Sequence, residues 1–280
     1  MKTKGALFFY DEKSLIKGQY PMKPLGVLFI TSLRNILYEE FNGQFIEING
    51  EKFYMQGVIE KTLEETQYRK SLHGLIEVKG VIVDDTVSDL KNEFDLLPND
   101  QTNWIFPTKF LEKDRIWNIP SLFRKLPKED FKGREQSKHV FESLVFKKAK
   151  EIGAEIIILD GYMARLDYLQ SSLGMYGKVL NIHPAPTIID RPFCFRGKDE
   201  VMDAIRFAKK NGGTALTGST LHFVDSDLDS GHPVAYICST PVSEDDTELE
   251  LMYRNYQEAK LPIFIAGLKH YVLKIFPYLE

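Results

Sequence analysis

Four short stretches of this 280-residue chain are dominated by contiguous apolar residues: Leu25 to Ile30, Gly80 to Val83, Glu155 to Leu159 and Lys178 to Ile182. A strand that is hydrophobic at consecutive positions buries both faces, as the inner strands of an α/β sheet do. Between the second and third runs, Val140, Phe141, Leu144, Val145, Ala149 and Ile152 recur at helical spacing. Gly153 then stands where a helix end favours a left-handed residue. Arg165 to Leu173 reads as a shorter helix before the fourth run. Strand, helix and strand in this rhythm imply parallel pairing through right-handed crossovers.

Other elements fit around that frame. Phe45 to Ile48 and Lys52 to Met55 flank Asn49-Gly50, a dipeptide that supplies the positive φ angles of a tight hairpin. Val58 to Lys70 and Asp199 to Lys210 read as helices, and Thr214 to Val224 and Val234 to Cys238 as strands around a polar turn. Thr247 and Glu250 have capping-box spacing at the start of a C-terminal helix that Pro262 is expected to divide. Thr86 to Asp130 yields only short strands and loops. No Gly/Ser linker separates the halves. The expectation is one α/β domain over 1–280, doubly wound around a mostly parallel twisted sheet, with residues 1–24 as an N-terminal extension.

The formal net charge of −4 argues against a nucleic-acid coat, and a 43% hydrophobic content supports a substantial core. No run reaches the roughly 18 apolar residues of a membrane span. Met1 to Lys23 is broken by charges and lacks the apolar stretch of a signal peptide. Cys194 and Cys238 alone build neither a disulfide framework nor a zinc site, which fits a reducing cytoplasm.

Asn181-Ile182-His183-Pro184 closes a core strand at its carboxyl end, where open α/β sheets place ligands. Period-two alternation puts Asn181 and His183 on one face. The turn Asp225-Ser226-Asp227-Leu228-Asp229-Ser230-Gly231 brings three carboxylates within five residues, but lacks the glycine and distal glutamate of a calcium loop. A solvated loop is the plainer reading. His222, leading into it, either pairs with one of these carboxylates or is an ordinary buried histidine.

Taken in order, Asn181-Ile182-His183-Pro184, Thr220-Leu221-His222-Phe223-Val224 and Leu228-Asp229-Ser230-Gly231 resemble the signature of the folate-dependent formyltransferases typified by glycinamide ribonucleotide transformylase. Gly161 to Leu166, Ile119-Pro120, Phe131 to Glu135 and Glu258 through Pro262 match as well, so that the resemblance covers roughly residues 105 to 270. It implies the formyltransferase fold and 10-formyltetrahydrofolate as donor co-substrate. It also implies Asn181, His183 and Asp229 as the catalytic trio, and Met163, Arg165, Leu166 and Asp225 as donor contacts. The residue types suit these roles. Asn181 and a protonated His183 can donate to an oxyanion, while Asp229 can relay a proton and favour the charged imidazole. No metal is required.

The family type carries a Gly-rich phosphate turn after its first strand, whereas this chain reads Ile30-Thr31-Ser32-Leu33-Arg34-Asn35. A phosphoribosyl acceptor is therefore disfavoured. Arg34, Asn35, Asp84 and Asp85 lie at expected strand ends and are candidate acceptor contacts. Arg196, in Phe193-Cys194-Phe195-Arg196-Gly197, resembles an Arg-Gly feature of related branches. Taken with the length, the leader and the missing phosphate turn, the pattern looks most like the hydroxyornithine formyltransferases of hydroxamate siderophore synthesis. The resemblance thus implies an amine or hydroxylamine acceptor. Open alternatives are an amino-sugar nucleotide acceptor, glycinamide ribonucleotide, hydrolysis of the formyl donor, and a folate-binding protein without turnover.

Overall fold

The computed structural model describes residues 8–9, 23–32, 44–84, 111–162, 164–188, 199–225 and 229–279. Ten strands are found among them: β1 (Phe8–Phe9), β2 (Leu25–Thr31), β3 (Gln44–Ile48), β4 (Glu51–Met55), β5 (Ile76–Val83), β6 (Ile116–Asn118), β7 (Ile156–Asp160), β8 (Val179–His183), β9 (Thr214–Phe223) and β10 (Pro233–Ser243). The helices are α1 (Val58–Glu65), α2 (Phe131–Ile152), α3 (Asp167–Ser171), α4 (Glu200–Lys210), α5 (Glu248–Asn255) and α6 (Leu261–His270).

One eight-stranded sheet runs β1-β10-β9-β8-β7-β2-β5-β6, and β3 pairs with β4 as a separate hairpin. The five strands from β8 to β6 are parallel, whereas β8–β9, β9–β10 and β10–β1 are antiparallel. After β2 the chain builds outward through β5 and β6, then returns to lay β7 on the other flank of β2. Such a reversal opens a crevice at the carboxyl ends of the strands. Those ends carry Thr31 and Ser32, Asp84, Asp160, and Asn181 with His183.

Both sheet faces are covered, as the unalternated strands require. Leu28, Ile30, Ile157 and Leu159 pack under Phe141 and Val145 of α2 on one face. Val27, Phe29, Ile156, Ile158, Leu180 and Ile182 pack under Ile263, Phe264 and Leu268 of α6 on the other. The Asp130 carboxylate accepts from the Gly133 N–H at the start of α2, and Gly153 ends it at φ 70°. The expected apolar face of α2 is only partly buried. Val140 and Leu144 are exposed, while Glu142 is wholly buried and accepts the Leu169 N–H at 2.5 Å. That bond anchors α3 against α2.

The hairpin turns at Asn49-Gly50 as expected and buries Ile46 and Met55 against Met252 and Tyr256. Helix α1 is shorter than its apolar pattern and ends at Glu65. Thr247 and Glu250 form the full capping box. Asn49 at the hairpin tip donates to the same glutamate at 2.7 Å. Thr247→Ala is expected to cost about 1 kcal/mol, as loss of an N-cap usually does. Urea unfolding of the variant checks this.

The C-terminal helix is divided just ahead of Pro262, but by a change of winding and not by a break. A wide π-helical turn over Tyr256–Lys260 leads directly into α6, with the proline in its first turn, where its missing N–H is tolerated. That turn also places Lys260 inward, and its ammonium lies 3.3 Å from Asp160 Oδ1 with both side chains fully buried. The candidate residues Arg34, Asn35, Asp85, Met163 and Arg196 lie outside the described residues.

Candidate active site

Strand pairing assembles the polar cluster. In the antiparallel β8–β9 pair, Asn181 stands directly opposite His222, and His183 opposite Thr220. Cross-strand partners on one face are in contact range. The four side chains therefore share the face to which Asn181 and His183 were assigned.

Beyond His183 the backbone is held by side chains from three elements. Asn255 donates to Pro184 O at 2.7 Å and to Gly218 O at 2.9 Å, and accepts from Thr240 Oγ1 at 3.0 Å. Thr220 Oγ1 donates to Ala185 O at 3.0 Å and accepts from the Thr187 N–H at 3.2 Å. The imidazole of His183 is thereby fixed at the sheet edge, 5% exposed.

The connection from β9 to β10 supplies the carboxylate. Gly231 passes so close to β9 that a Cβ there would sit 1.6 Å from Phe223 O, which excludes any side chain. The same turn holds Asp229 at φ 52°, in the left-handed region that aspartate tolerates better than most residues. Its side chain is thereby carried back over the strand ends. Asp229 Oδ1 lies 3.3 Å from Asn181 Nδ2 and 3.7 Å from His222 Nε2, and Oδ2 lies 3.6 Å from His183 Nδ1. The three groups singled out from the sequence are brought together, with His222 as a fourth.

The hydrogen-bond pattern defines a resting state. His222 Nδ1 lies 2.8 Å from Phe223 O and must carry the proton to bond there, which leaves Nε2 as an acceptor in the neutral ring. The Asn181 amide nitrogen, 3.2 Å from that Nε2, therefore donates to it. Its second hydrogen is directed to Asp229. Both donors of the amide are thus engaged, and donation to a new oxygen requires the longer Asp229 contact to be released.

One cleft adjoins this cluster and a second lies next to that cleft. The first is narrow and is lined by Leu159, Tyr162, Ala164, Arg165, Asn181, His222, Val224, Asp225 and Asp229. An open cleft of about 790 Å³ shares Ala164 and Arg165 with it and adds Arg134, Lys138, His139 and Tyr168. His139 and Tyr168 stack there with ring centroids 4.4 Å apart. Of the expected donor contacts, Arg165 and Asp225 line a cleft, whereas the Leu166 side chain is buried in the core beneath α2.

Sequence reasoning passed over Arg124 and took Tyr162 only as part of Gly161 to Leu166, the stretch that resembles the family's folate-pocket segment. Tyr162 is 4% exposed, and burial pushes its phenol well above the usual tyrosine range, so it remains protonated. The guanidinium carbon of Arg124 lies 4.6 Å from the centre of its ring.

Comparison with known proteins gives a consistent picture. The profile of the family described as "Formyl transferase" matches residues 107–266. Phosphoribosylglycinamide formyltransferase of Bacillus subtilis (strain 168) is 31% identical over 140 residues, 50% of this chain and 62% of that protein, so the chain spans less than two thirds of this relative's length. The structure of PvdF of pyoverdin biosynthesis, an N10-formyltetrahydrofolate-dependent formyltransferase, superposes with a TM-score of 0.75 at 27% identity, covering 87% of this chain and 97% of that one. Glycinamide ribonucleotide transformylase 1 from Symbiobacterium toebii shares the fold at a TM-score of 0.55 and 16% identity, covering 91% and 92%.

Proposed function

This chain belongs to the formyl transferase family, and from that membership we propose that it moves a formyl group from 10-formyltetrahydrofolate to the nitrogen of a small acceptor, N5-hydroxyornithine in particular. The observation that carries the chemistry is Asp229, buried and within 3.7 Å of Asn181, His183 and His222.

The acceptor nitrogen attacks the formyl carbon, and negative charge develops on the formyl oxygen. Donors already in place in a water-poor site stabilise such charge. Asn181 supplies one once its hydrogen leaves Asp229, and His183 supplies the other. Asp229 faces Nδ1 of His183, where a carboxylate stabilises positive charge on the ring. As the Asn181 contact opens, Asp229 gains capacity to take the proton that the nitrogen loses and pass it toward the departing folate nitrogen.

The two clefts meet at Ala164 and Arg165, and together they offer room for an elongated donor. The open one is lined by Arg134 and Arg165, which can meet the carboxylates of a folate glutamate, together with Glu135 and with Lys138, which pairs with Asp167 at 2.6 Å. Asp225 and Asp229 border the inner one, where the formyl-bearing part belongs.

Two observations set the acceptor apart from glycinamide ribonucleotide. The superposition on PvdF extends over nearly the whole of that protein at a higher TM-score than the transformylase gives. From the end of β2 the sequence reads Thr31-Ser32-Leu33-Arg34-Asn35, without the glycines that cradle a phosphate. A hydroxylamine is also less basic than an alkylamine, so more of it is unprotonated and nucleophilic near neutral pH.

With saturating donor, tetrahydrofolate release is expected to be fastest with N5-hydroxyornithine in a screen against glycinamide ribonucleotide, an amino-sugar nucleotide and buffer alone. Faster release with a nucleotide acceptor reverses the assignment. Equal release in buffer, accompanied by formate, identifies a hydrolase.

A further inference from the structure

A second polar cluster occupies the same sheet edge, at the carboxyl ends of β2 and β5, beside the β2–β7 boundary where the strand order reverses. Asp84, fully buried just beyond β5, accepts from Ser121 Oγ at 2.5 Å and lies 3.3 Å from Arg124 Nη1. The same guanidinium nitrogen is 3.5 Å from Ser32 Oγ, just beyond β2. Arg124 is thus held along one edge. Its other nitrogen, Nη2, and the Tyr162 phenol oxygen are both buried and make no well-formed hydrogen bond to any other residue, so that each has only the other beside it. Native interiors leave few such groups unpaired, and unpaired donors at a ligand crevice point to a ligand.

Tyr162 joins this cluster to the reactive one. Its side chain lines the inner cleft with Asn181, His222 and Asp229, while its ring lies beneath Arg124. We infer that Arg124 and Tyr162 form the head-group subsite of the acceptor, receiving the α-carboxylate of an amino acid whose distal nitrogen lies at Asn181, His183 and Asp229. The inference rests on the N-formyl-transfer reading above. Five single bonds separate the carboxyl carbon of ornithine from its side-chain nitrogen, about 6 Å when extended. That is the reach of one tyrosine side chain.

Charge selects the kind of head group. Among the described residues Arg124 pairs with Asp84, and a zwitterionic amino-acid head brings no net charge of its own to that pair. A phosphate dianion would place two further negative charges beside a buried carboxylate. A guanidinium edge paired with a phenol O–H also suits the two oxygens of a carboxylate.

The test varies enzyme and acceptor together. The specificity constant kcat/KM is measured for N5-hydroxyornithine and for N-(4-aminobutyl)hydroxylamine, the same chain without its carboxylate, at saturating donor. In the wild type the amino acid is expected to be preferred. In Arg124→Gln that preference is expected to fall about 10- to 100-fold, through KM rather than kcat, as loss of a hydrogen bond to a charged group predicts. Tyr162→Phe removes only a hydroxyl and is expected to lower the preference about 3- to 10-fold, which keeps the test decisive where Arg124→Gln does not fold. Equal losses for both acceptors would assign these residues a structural role and overturn the inference, as would an unchanged preference. A wild type that formylates neither acceptor would instead overturn the underlying reading of function, and the inference with it.

Discussion

Asp229→Asn is expected to lower kcat by about 10³-fold or more, with the protein still folded and still binding the formyl donor. The substitution keeps the size and planarity of the side chain and removes its charge and basicity. Asp229 lies against Asn181, His183 and His222, so its loss acts on both oxygen donors and on the proton route together. Asn181→Ala and His183→Ala each remove one donor to the developing oxyanion, and each is expected to cost about 10²- to 10³-fold. The combined variants should lose less than the product of the single losses, since groups acting as a unit are not additive. Steady-state turnover with saturating donor and acceptor, beside circular dichroism of each variant, decides the matter. Near-normal turnover in Asp229→Asn would remove this carboxylate from the chemistry.

The largest expected effect on stability lies on the other face of the sheet. Lys260 and Asp160 are fully buried and form an ion pair, and the Lys260 ammonium also donates to Tyr256 Oη at 2.7 Å and lies 4.2 Å from that ring's centre. Lys260→Met keeps the aliphatic stem and leaves Asp160 charged in the interior. Removing one partner of a buried pair typically costs about 3 to 5 kcal/mol, because the remaining charge has lost both water and its counter-ion. Replacing both, as Lys260→Met with Asp160→Leu, is expected to recover much of that loss, since apolar groups of similar volume carry no desolvation penalty. Urea unfolding of the three proteins tests this. A Lys260→Met variant within about 1 kcal/mol of wild type would show that the pair is not held as charges.

The features legible in the sequence are those with a local physical cause. Four of the five parallel strands announced themselves by apolar runs; β5 starts at Ile76, four residues before its run, because Glu77 and Lys79 interrupt the pattern there, and the three-residue edge strand β6 was not assigned. The hairpin and the capping box followed from Asn49-Gly50 and from Thr247 with Glu250. The two-residue strand β1 was not foreseen, because two residues show no periodicity. Strand β10 was read too short, at Val234 to Cys238, because its later part is polar. Thr240 is nonetheless buried, with its hydroxyl bonded to Asn255.

Wider turns and distant pairs left no local trace. The π-helical turn keeps a helix-like composition, and Pro262 alone suggested a break. Asp160 and Lys260 are 100 positions apart, and no spacing rule connects them. The alternation in Asn181-Ile182-His183 assigned both side chains to one face, but it could not reveal His222 directly opposite Asn181, nor the left-handed turn that brings Asp229 back. Arg124 was hidden in a stretch that reads as irregular loop, and its importance arises only from burial against Asp84 and Tyr162.

The central claim is that an amide, an imidazole and a carboxylate act on one formyl carbon while an acceptor nitrogen attacks it. The most direct measurement is a single turnover with ¹³C-labelled 10-formyltetrahydrofolate and N5-hydroxyornithine, following the label by NMR in the wild type and in Asp229→Asn. The label is expected to appear on the hydroxylamine nitrogen in step with tetrahydrofolate formation in the wild type, and to remain on the donor in the variant. Label released as formate at a rate indifferent to the acceptor, or transfer equally fast in both proteins, would contradict the account.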